Sequence, residues 1–473
     1  MSKIQIKTKI TSLPPGVTDL ITPVSIYLRI RDRFPNAILL ESSDYHGDRN
    51  SKTYICFDVI ANFKVEDGLI TTSSVNGSNK KTDIKDVTTL ASELSLFLES
   101  FDIKNEGKQQ KEIANGLFGY TSYDAIPYLE SIKFQDRKKE EARIPQVNYS
   151  LYRFVLSFNH FNNQLHLLEN LTENESSRAE EVNEILSDRT IGQFKFQMLN
   201  TEHSNIDDEQ YMAMVSDGKK HCKKGNVFQV VLSRQYNRDF KGDEFNVYRA
   251  LRSINPSPYL FYFDYGGFKI FGSSPEAQIV IEDDVARINP IAGTFKRTGD
   301  DEKDRELAIQ LSKDEKENAE HVMLVDLARN DLGKNSNKIS VKTYREVQFY
   351  SHVIHLVSMV TGDLEKNYQA YKIFGDSFPA GTLSGAPKYR AMELIDELEN
   401  RNRGYYGGAI GYIGFNGEMN HAIMIRSFLS KNNKLFYEGG AGVTAASVEE
   451  KELVEVNNKL GALRQALSQA ENL

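Results

Sequence analysis

The chain has 473 residues, 40% of them hydrophobic, which is ample for a large core and gives a length prior of roughly three domains. A net charge of −8 leaves no global basic footprint for nucleic acid, and no apolar run approaches the roughly 20 residues of a membrane-spanning helix. The 2 cysteines, Cys56 and Cys222, form neither a disulfide framework nor zinc-ligand spacing, and MSKIQIKTKITSLPPG lacks the apolar core of a signal peptide, so a cytoplasmic protein is expected.

In chain order, residues 37–42, 54–61, 149–158 and 164–169 read as strands by β-branched and aromatic content. Residues 89–101 read as an amphipathic helix, 133–143 as an exposed charged loop and 174–188 as an acidic helix. The polar stretch 199–205 is the best boundary, separating an amino-terminal region (1–195) from a denser region (207–466), the two packing as one globule. Beyond it the pattern predicts a helix (209–223), a strand (227–236), a helix (244–253) and the strands PYLFYFDY and FKIFGSS. A hairpin (277–282, 285–290) turns at Asp283-Asp284; after an acidic helix, VQFYSHVIHLVSMVTG reads as one long strand region. A helix (387–399), strands (405–415, 420–430, 434–438) and a final helix close the chain. Strands joined by short turns imply antiparallel pairing, hence an α+β fold rather than a doubly wound parallel one.

Two distant helices share a charge pattern. SKDEKENAEHVMLVDLARNDLG and SVEEKELVEVNNKLGALRQAL each open with a predicted capping box, Ser312 with Glu315 and Ser447 with Glu450. At equal offsets follow Glu317 and Glu320, then Glu452 and Glu455. Residues three apart share a helix face, and paired carboxylates suit a hard cation such as magnesium. Acids are also favoured in first helical turns, so a solvated face is the competing reading, although Glu320 and Glu455 lie deeper in their helices.

Arg426 sits in apolar HAIMIRSF, where a buried guanidinium needs a partner: a structural carboxylate, or the carboxylate of a ligand. His355 alternates with Val353, Val357 and Met359 and reads either as a satisfied core residue or, facing a cleft, as a general acid or base. EGGAGVTAAS, before the second acidic helix, reads as a turn whose glycine amides can bind an anion. Lys459, four residues after Glu455, can offset that charge or reach the same ligand. PAGTLSGAPK lacks phosphate-loop spacing and YYGGAIGYIG is not G-x-G-x-x-G, which removes support for nucleotide binding.

The stretches PIAGTFKRTG, DEKENAEHVMLVDLARNDLG, HLVS, FPAGTLSGAPKYRAMELIDELE, YYGGAIGYIGF, IRS and GAGVTAAS…EKELVEVNNKLGA together resemble the chorismate-utilising enzymes and, within them, the anthranilate synthase component I family. The resemblance implies a sandwich of large antiparallel sheets with outer helices and a cleft active site. It implies magnesium ligation by Glu320 and Glu455 with Glu317 and Glu452 beside them. It implies chorismate binding by Gly293, Thr294, Tyr406, Arg426, Lys459 and the Gly440-Ala441-Gly442 backbone, with His355 assisting departure of the ring hydroxyl. Relatives that attack the ring with a lysine carry it where Ala292 stands, and relatives that add water carry one where Gln229 stands; both positions favour ammonia as the nucleophile. The expected reaction makes anthranilate and pyruvate, the first step of tryptophan biosynthesis. Ammonia would come from glutamine through a separate amidotransferase subunit in a hetero-oligomer, since neither cysteine lies in a nucleophile loop. Feedback by L-tryptophan is implied through Glu41, Ser42, Pro258, Tyr259 and Leu260. The alternatives are an aminodeoxychorismate synthase component and a non-catalytic tryptophan-binding regulator on the same scaffold.

Overall fold

The computed structural model describes residues 3–13, 21–42, 51–105, 113–135, 137, 141–173, 175–188, 190–349 and 353–473, and within them all side chains but those of Ser42, Asn105, Thr294 and Lys316. Its organising feature is a pair of long strands, Lys52–Glu66 and Val147–Asn159, antiparallel from Lys52 opposite Asn159 to Val65 opposite Val147. The register slips between Val59 and Ala61, next to Asp58 at φ 63°. Such a bulge bends the strand and deepens its twist, so the two ends of the pair enter different sheets.

At one end the pair continues through Ile38–Ser42, Tyr259–Asp264, Phe268–Ser274, Ser427–Lys431 and Lys434–Val443 to Gln229–Gly242. On the flank, Val147–Asn159 pairs with Gln164–Thr172 and that strand with Ile4–Ser12. At the other end the order is Gly116–Thr121, Ala409–Gly414, Met419–Ile423, Ala277–Glu282, Val285–Ile288 and Val353–Leu364. All these ladders are antiparallel; Ile4–Ser12 with Phe101–Asn105 is the one parallel pairing among the described residues.

The core falls into three layers. Between the sheets lie strand side chains such as Leu40, Tyr54, Phe118, Tyr152, Phe261 and Leu429. Outside the first sheet pack the helices Asp208–Lys223, Phe245–Ile254, Lys388–Leu398 and Glu449–Ala470. Outside the second pack Thr89–Glu99, Glu315–Gly333 and Ala370–Ser377. The fold is the expected α+β arrangement of large antiparallel sheets with outer helices. No helix among the described residues is long and apolar enough to cross a membrane.

Several local expectations change. The stretch 199–205 follows Phe196–Met198 and contains His203–Ser204, which both pair with Gln229–Gly242, and Ile38–Ser42 pairs with Tyr259–Asp264. The amino-terminal and later regions therefore contribute strands to the same sheets. What read as one strand region around 347–362 is an antiparallel pair, Ser336–Phe349 with Val353–Leu364. Strand 420–430 is broken into Met419–Ile423 and Ser427–Lys431, with Arg426 at φ 49° between them. The charged loop at 133–143 lies only partly within the described residues; there Arg137 packs inward on Asp396 at 2.9 Å.

Neither predicted capping box forms. Ser312 ends a preceding helix, Asp301–Lys313, and the acidic helix starts from Asp314, whose carboxylate accepts the Glu317 N–H at 3.0 Å. The last helix begins after Val448 without a side-chain cap, and Ser447 Oγ instead accepts the Thr444 N–H at 3.0 Å. Asp314 outcompetes Ser312 because its charge also meets the helix dipole. The i, i+3 spacing of the glutamates survives, since it does not depend on where the helices begin.

Candidate active site

The first wall is a strand pair. Gln229–Gly242 pairs with Lys434–Val443 from Val230 opposite Val443 to Asp239 opposite Lys434. The glycines expected in a turn are thus inside a strand. Ser427–Lys431 covers the other edge of Lys434–Val443 only as far as Tyr437. Beyond it the Gly440 carbonyl accepts Lys459 Nζ at 2.9 Å, a Cβ at Gly440 would stand 3.2 Å from the Tyr406 phenol oxygen, and strand alternation turns the Gly442 N–H to the same edge as that of Gly440. Glycine is required at 442 because a Cβ there would stand 2.1 Å from Gln229 Nε2. Gln229 lies across it and donates to Glu320 Oε1 at 3.2 Å.

Contacts therefore run from Glu320 through Gln229 to this strand, and from the strand through Lys459 to Glu455, paired at 2.8 Å. Glu317, one turn before Glu320, lies against Gly293, where a Cβ would be 3.2 Å from Glu317 Oε2 and φ is 71°. Glu452, one turn before Glu455, is buried. The phenol of Tyr211 is pushed well up by burial and then by the charges of Glu452 and Glu455. Among the described residues no three His, Cys, Asp or Glu side chains close into a metal cage. The donors still fit a hard dication with an open coordination sphere: two helices offer a carboxylate pair each, Glu452 of the four being buried beside like-charged Glu455, and the remaining oxygens can come from a ligand.

A second group meets the first through Lys459. Glu276, between two strands, accepts the Thr382 hydroxyl at 3.0 Å; burial raises its pKa to about 7, partly opposed by Thr382, Arg426 and Lys459. The Arg426 carbonyl accepts the Ser273 N–H at 3.1 Å, but its guanidinium has no hydrogen-bond or ion-pair partner among the described residues; burial lowers its pKa, and the charge opposing that shift is Glu276. His355 is 5% exposed, and its Nδ1 lies 2.9 Å from the Gly293 carbonyl. A carbonyl only accepts, so Nδ1 carries the proton and Nε2 is the basic nitrogen. Burial, with Arg426 nearby, lowers the His355 pKa to about 4, so the imidazole is neutral at physiological pH. Ala292 is buried and offers no amine; the Thr294 and Ser42 side chains lie outside the described residues.

Beneath Tyr406 runs a buried ion network. Arg403 donates to Glu399 at 2.6 and 3.0 Å, to the Leu383 carbonyl at 2.6 Å and to the Val231 carbonyl at 2.7 Å, and its guanidinium lies 5.9 Å from the Tyr406 ring centre. Ser233 joins Glu399 at 2.8 Å to Glu438 at 2.7 Å, and Arg401 closes on Glu438. Arg403 thereby ties the 229–242 strand to the segment that carries Thr382.

A large cavity, about 1350 Å³, opens between the sheets, apart from these residues. Leu40, Pro258 and Tyr259 line it, with Lys52, Tyr54 and Tyr412. Glu41 and Leu260 do not: strand alternation turns them to the other face, where Glu41 holds Arg252 at 2.8 Å and accepts Tyr248 at 2.6 Å while Leu260 joins the helix-side core.

A family model described as chorismate binding enzyme matches residues 37–465. The chain belongs to the chorismate binding enzymes. It is 34% identical over 472 residues to anthranilate synthase component 1 of Aquifex aeolicus, covering 96% of this chain and 94% of that one. To the component 1 of Lactococcus lactis it is 36% identical over 458 residues, covering 94% and 97%. The structure of anthranilate synthase component I from Streptococcus pneumoniae, 29% identical, matches with TM-score 0.74 over 94% of this chain and 98% of that one. The menaquinone-specific isochorismate synthase of Escherichia coli shares the fold at 18% identity, TM-score 0.75. The chain is an enzyme of the anthranilate synthase component 1 type.

In this chorismate binding enzyme the residue that sequence reasoning missed is Glu276. Its signal was available in GSSPEAQIV: a lone acid between two apolar strands has no solvent-facing reason to be there. The Arg403–Glu399 network was also missed, because a charge-rich NRNRG segment reads as exposed loop until packing buries it.

Proposed function

We propose that this enzyme adds ammonia to chorismate and releases pyruvate to form anthranilate. The observation that carries this reading is a half-buried Arg426 guanidinium without an ion-pair partner among the described residues, within the field of a protonatable Glu276, in a molecule where two helices present carboxylates. Arg426, the Tyr406 hydroxyl and the strand-edge amides hold a carboxylate of the substrate. Glu320 and Glu455, with Glu317 and Glu452 beside them, would hold magnesium, which when bound withdraws electron density through the ring carboxylate. With Gln229 and Ala292 in place of lysines, the nucleophile comes from outside. Ammonia's lone pair forms the new C–N bond beside the ring carboxylate, the two conjugated ring double bonds shift in turn, the C–O bond to the ring hydroxyl breaks, and the ammonium so formed gives up one proton to solvent. Glu276 gives that hydroxyl its proton and water leaves, while His355 Nε2 accepts a hydrogen bond and orients the group. A neutral imidazole with pKa about 4 is poorly suited to donate a proton, so the acid is assigned to Glu276 rather than His355. A ring proton and the ring C–O bond to the enolpyruvyl group are then lost together, which makes the ring aromatic, and the released enolate takes up a proton at its methylene carbon to become pyruvate.

The reading also takes a glutamine amidotransferase subunit as the ammonia source, in a cytoplasmic hetero-oligomer. Both cysteines are buried and burial raises both thiols, which argues against an internal thiolate nucleophile. Purified chain given chorismate, ammonia and magnesium is expected to yield a fluorescent aromatic product and to stop on chelation; a non-aromatic amino product would instead indicate aminodeoxychorismate synthesis. Because Glu276 must be protonated, kcat per unit free ammonia is expected to fall about tenfold per pH unit above about 7 and to lose that limb in Glu276→Gln. A limb unchanged in Glu276→Gln contradicts the acid assignment.

L-Tryptophan is proposed to bind in the inter-sheet cavity at Tyr54, Tyr259 and Tyr412, where Tyr54 and Tyr412 lie 6.0 Å apart at their ring centres and Leu40 and Pro258 add apolar wall. Tyr259→Ala is expected to raise the inhibitory concentration of tryptophan more than tenfold, a loss of about 1.4 kcal/mol or more, while the uninhibited rate stays within about twofold. Undiminished inhibition moves the ligand elsewhere.

A further inference from the structure

The inter-sheet cavity is larger than the roughly 300–1,000 Å³ of an ordinary small-molecule pocket. Its wall crosses four strands in register. Tyr412 pairs with Asn420, Asn420 with Val280, and Val280 with Arg287. Directly paired residues project from one face of a sheet, and all four line the cavity. Arg287 is thus three strand spacings, about 14 Å, from the aromatic lobe at Tyr412.

The chemistry around Arg287 differs from that lobe. Among the described residues its guanidinium meets no carboxylate or other acceptor, and its Nε is buried. The side-chain carbonyl oxygens of Asn289 and Asn420, on the same wall, are also buried without a donor. Unpaired buried polar atoms cost about 1–3 kcal/mol each, so three together favour an occupant. Arg287 asks for a carboxylate, and the two oxygens ask for N–H donors. Glu282 and Glu418, which line the same region, disfavour a dianion and favour a group of positive charge.

We propose that the Arg287 lobe binds a free α-amino acid as its zwitterion, the carboxylate on Arg287 and the ammonium on the carbonyl oxygens of Asn289 and Asn420, as a site separate from the aromatic lobe. The proposal does not require that tryptophan fill that lobe. A molecule held there bridges strands Val285–Ile288, Ala277–Glu282 and Met419–Ile423, and so stiffens the sheet that carries His355.

Thermal unfolding of the full chain with each standard L-amino acid at millimolar concentration, alone and over saturating tryptophan, tests the site. At least one amino acid is expected to raise Tm by about 2 °C and to add to any tryptophan effect. Arg287→Gln is expected to remove that rise and to leave the tryptophan response, and Asn420→Leu to weaken it severalfold. The same rise is expected to persist in Tyr259→Ala. No additive rise from any amino acid means water alone occupies the lobe and overturns the proposal. An equal rise from acetate or inorganic phosphate overturns the zwitterion assignment. Loss of the tryptophan response in Arg287→Gln, or of the amino-acid response in Tyr259→Ala, merges the two lobes and overturns a separate site. If tryptophan has no effect at all, the reading of the aromatic lobe fails while the Arg287 test still stands.

Discussion

Arg426→Leu is expected to lower kcat/KM for chorismate by about a thousandfold and to leave the free protein as stable as before, or more so. The two readings of this arginine predict opposite stability effects. Were it half of a buried ion pair, its loss would strand a carboxylate and cost about 3–5 kcal/mol. Instead its guanidinium lacks a partner among the described residues, and burial lowers its pKa against only the distant charge of Glu276. Removing a half-buried cation that lacks a paired charge relieves part of a desolvation cost. The substrate loses the same cation, and truncating one side of a buried charge-assisted contact costs about 2–5 kcal/mol of binding in the transition state. Arg426 also occupies φ 49°, sparsely populated for a side-chain-bearing residue; leucine, unbranched at Cβ, keeps that strain roughly constant. The mutant should push the Glu276 pKa further up, since Arg426 opposes its rise, so the alkaline limb of the residual activity moves to higher pH. Measured kcat/KM and the midpoint of urea unfolding decide the matter. A variant that is both inactive and several kcal/mol less stable returns Arg426 to a structural role.

The glutamate pairs were legible because helical periodicity survives an error in where a helix starts: Ser312 and Ser447 do not cap, yet Glu317 with Glu320 and Glu452 with Glu455 stay one turn apart. The strand edge at Gly440–Gly442 was legible as a place of close approach but not as a strand, because three glycines in six residues carry none of the β-branched content that marks strands. There the partner strand Gln229–Gly242 decides, through a pairing some 200 residues distant in sequence. Glu41 and Leu260 show a different limit. Proximity was readable and is found, since Leu260 pairs with Glu41. Which face each side chain takes depends on the register between strands, and a one-residue difference inverts it. Glu276, His355 and Arg426 come from three separate segments, so their mutual electrostatics had no local signature.

Acid is expected to unfold the protein steeply between about pH 6.5 and 4, because three buried histidines must take up protons that the fold rejects. His321 and His355 have pKa values lowered to about 4 and His421 to about 3, each chiefly by burial. Their exposures are 0%, 5% and 0%. In the unfolded chain each imidazole takes up its proton near the ordinary histidine value of 6.5. A folded pKa below the unfolded one means stability present above 6.5 and lost as pH falls toward the folded value. At 1.36 kcal/mol per unit, each histidine removes roughly 3–5 kcal/mol, and together they approach the 5–15 kcal/mol that holds an ordinary domain. The contacts explain why the fold cannot relax. His321 Nε2 meets Ser358 Oγ at 2.6 Å and His421 Nε2 meets Tyr149 Oη at 2.8 Å, and in both rings Nδ1 is buried with no partner. A second proton would therefore put a charge and an unmatched N–H into an apolar layer. Urea unfolding followed across the window should show free energy falling by up to about 4 kcal/mol per pH unit, three protons' worth. His421→Gln, which keeps a hydrogen-bonding side chain but cannot titrate, should remove about a third of that slope. A flat profile in the wild-type chain would mean that these rings are hydrated and titrate freely, and with them the neutral His355 on which the assignment of Glu276 as proton donor depends.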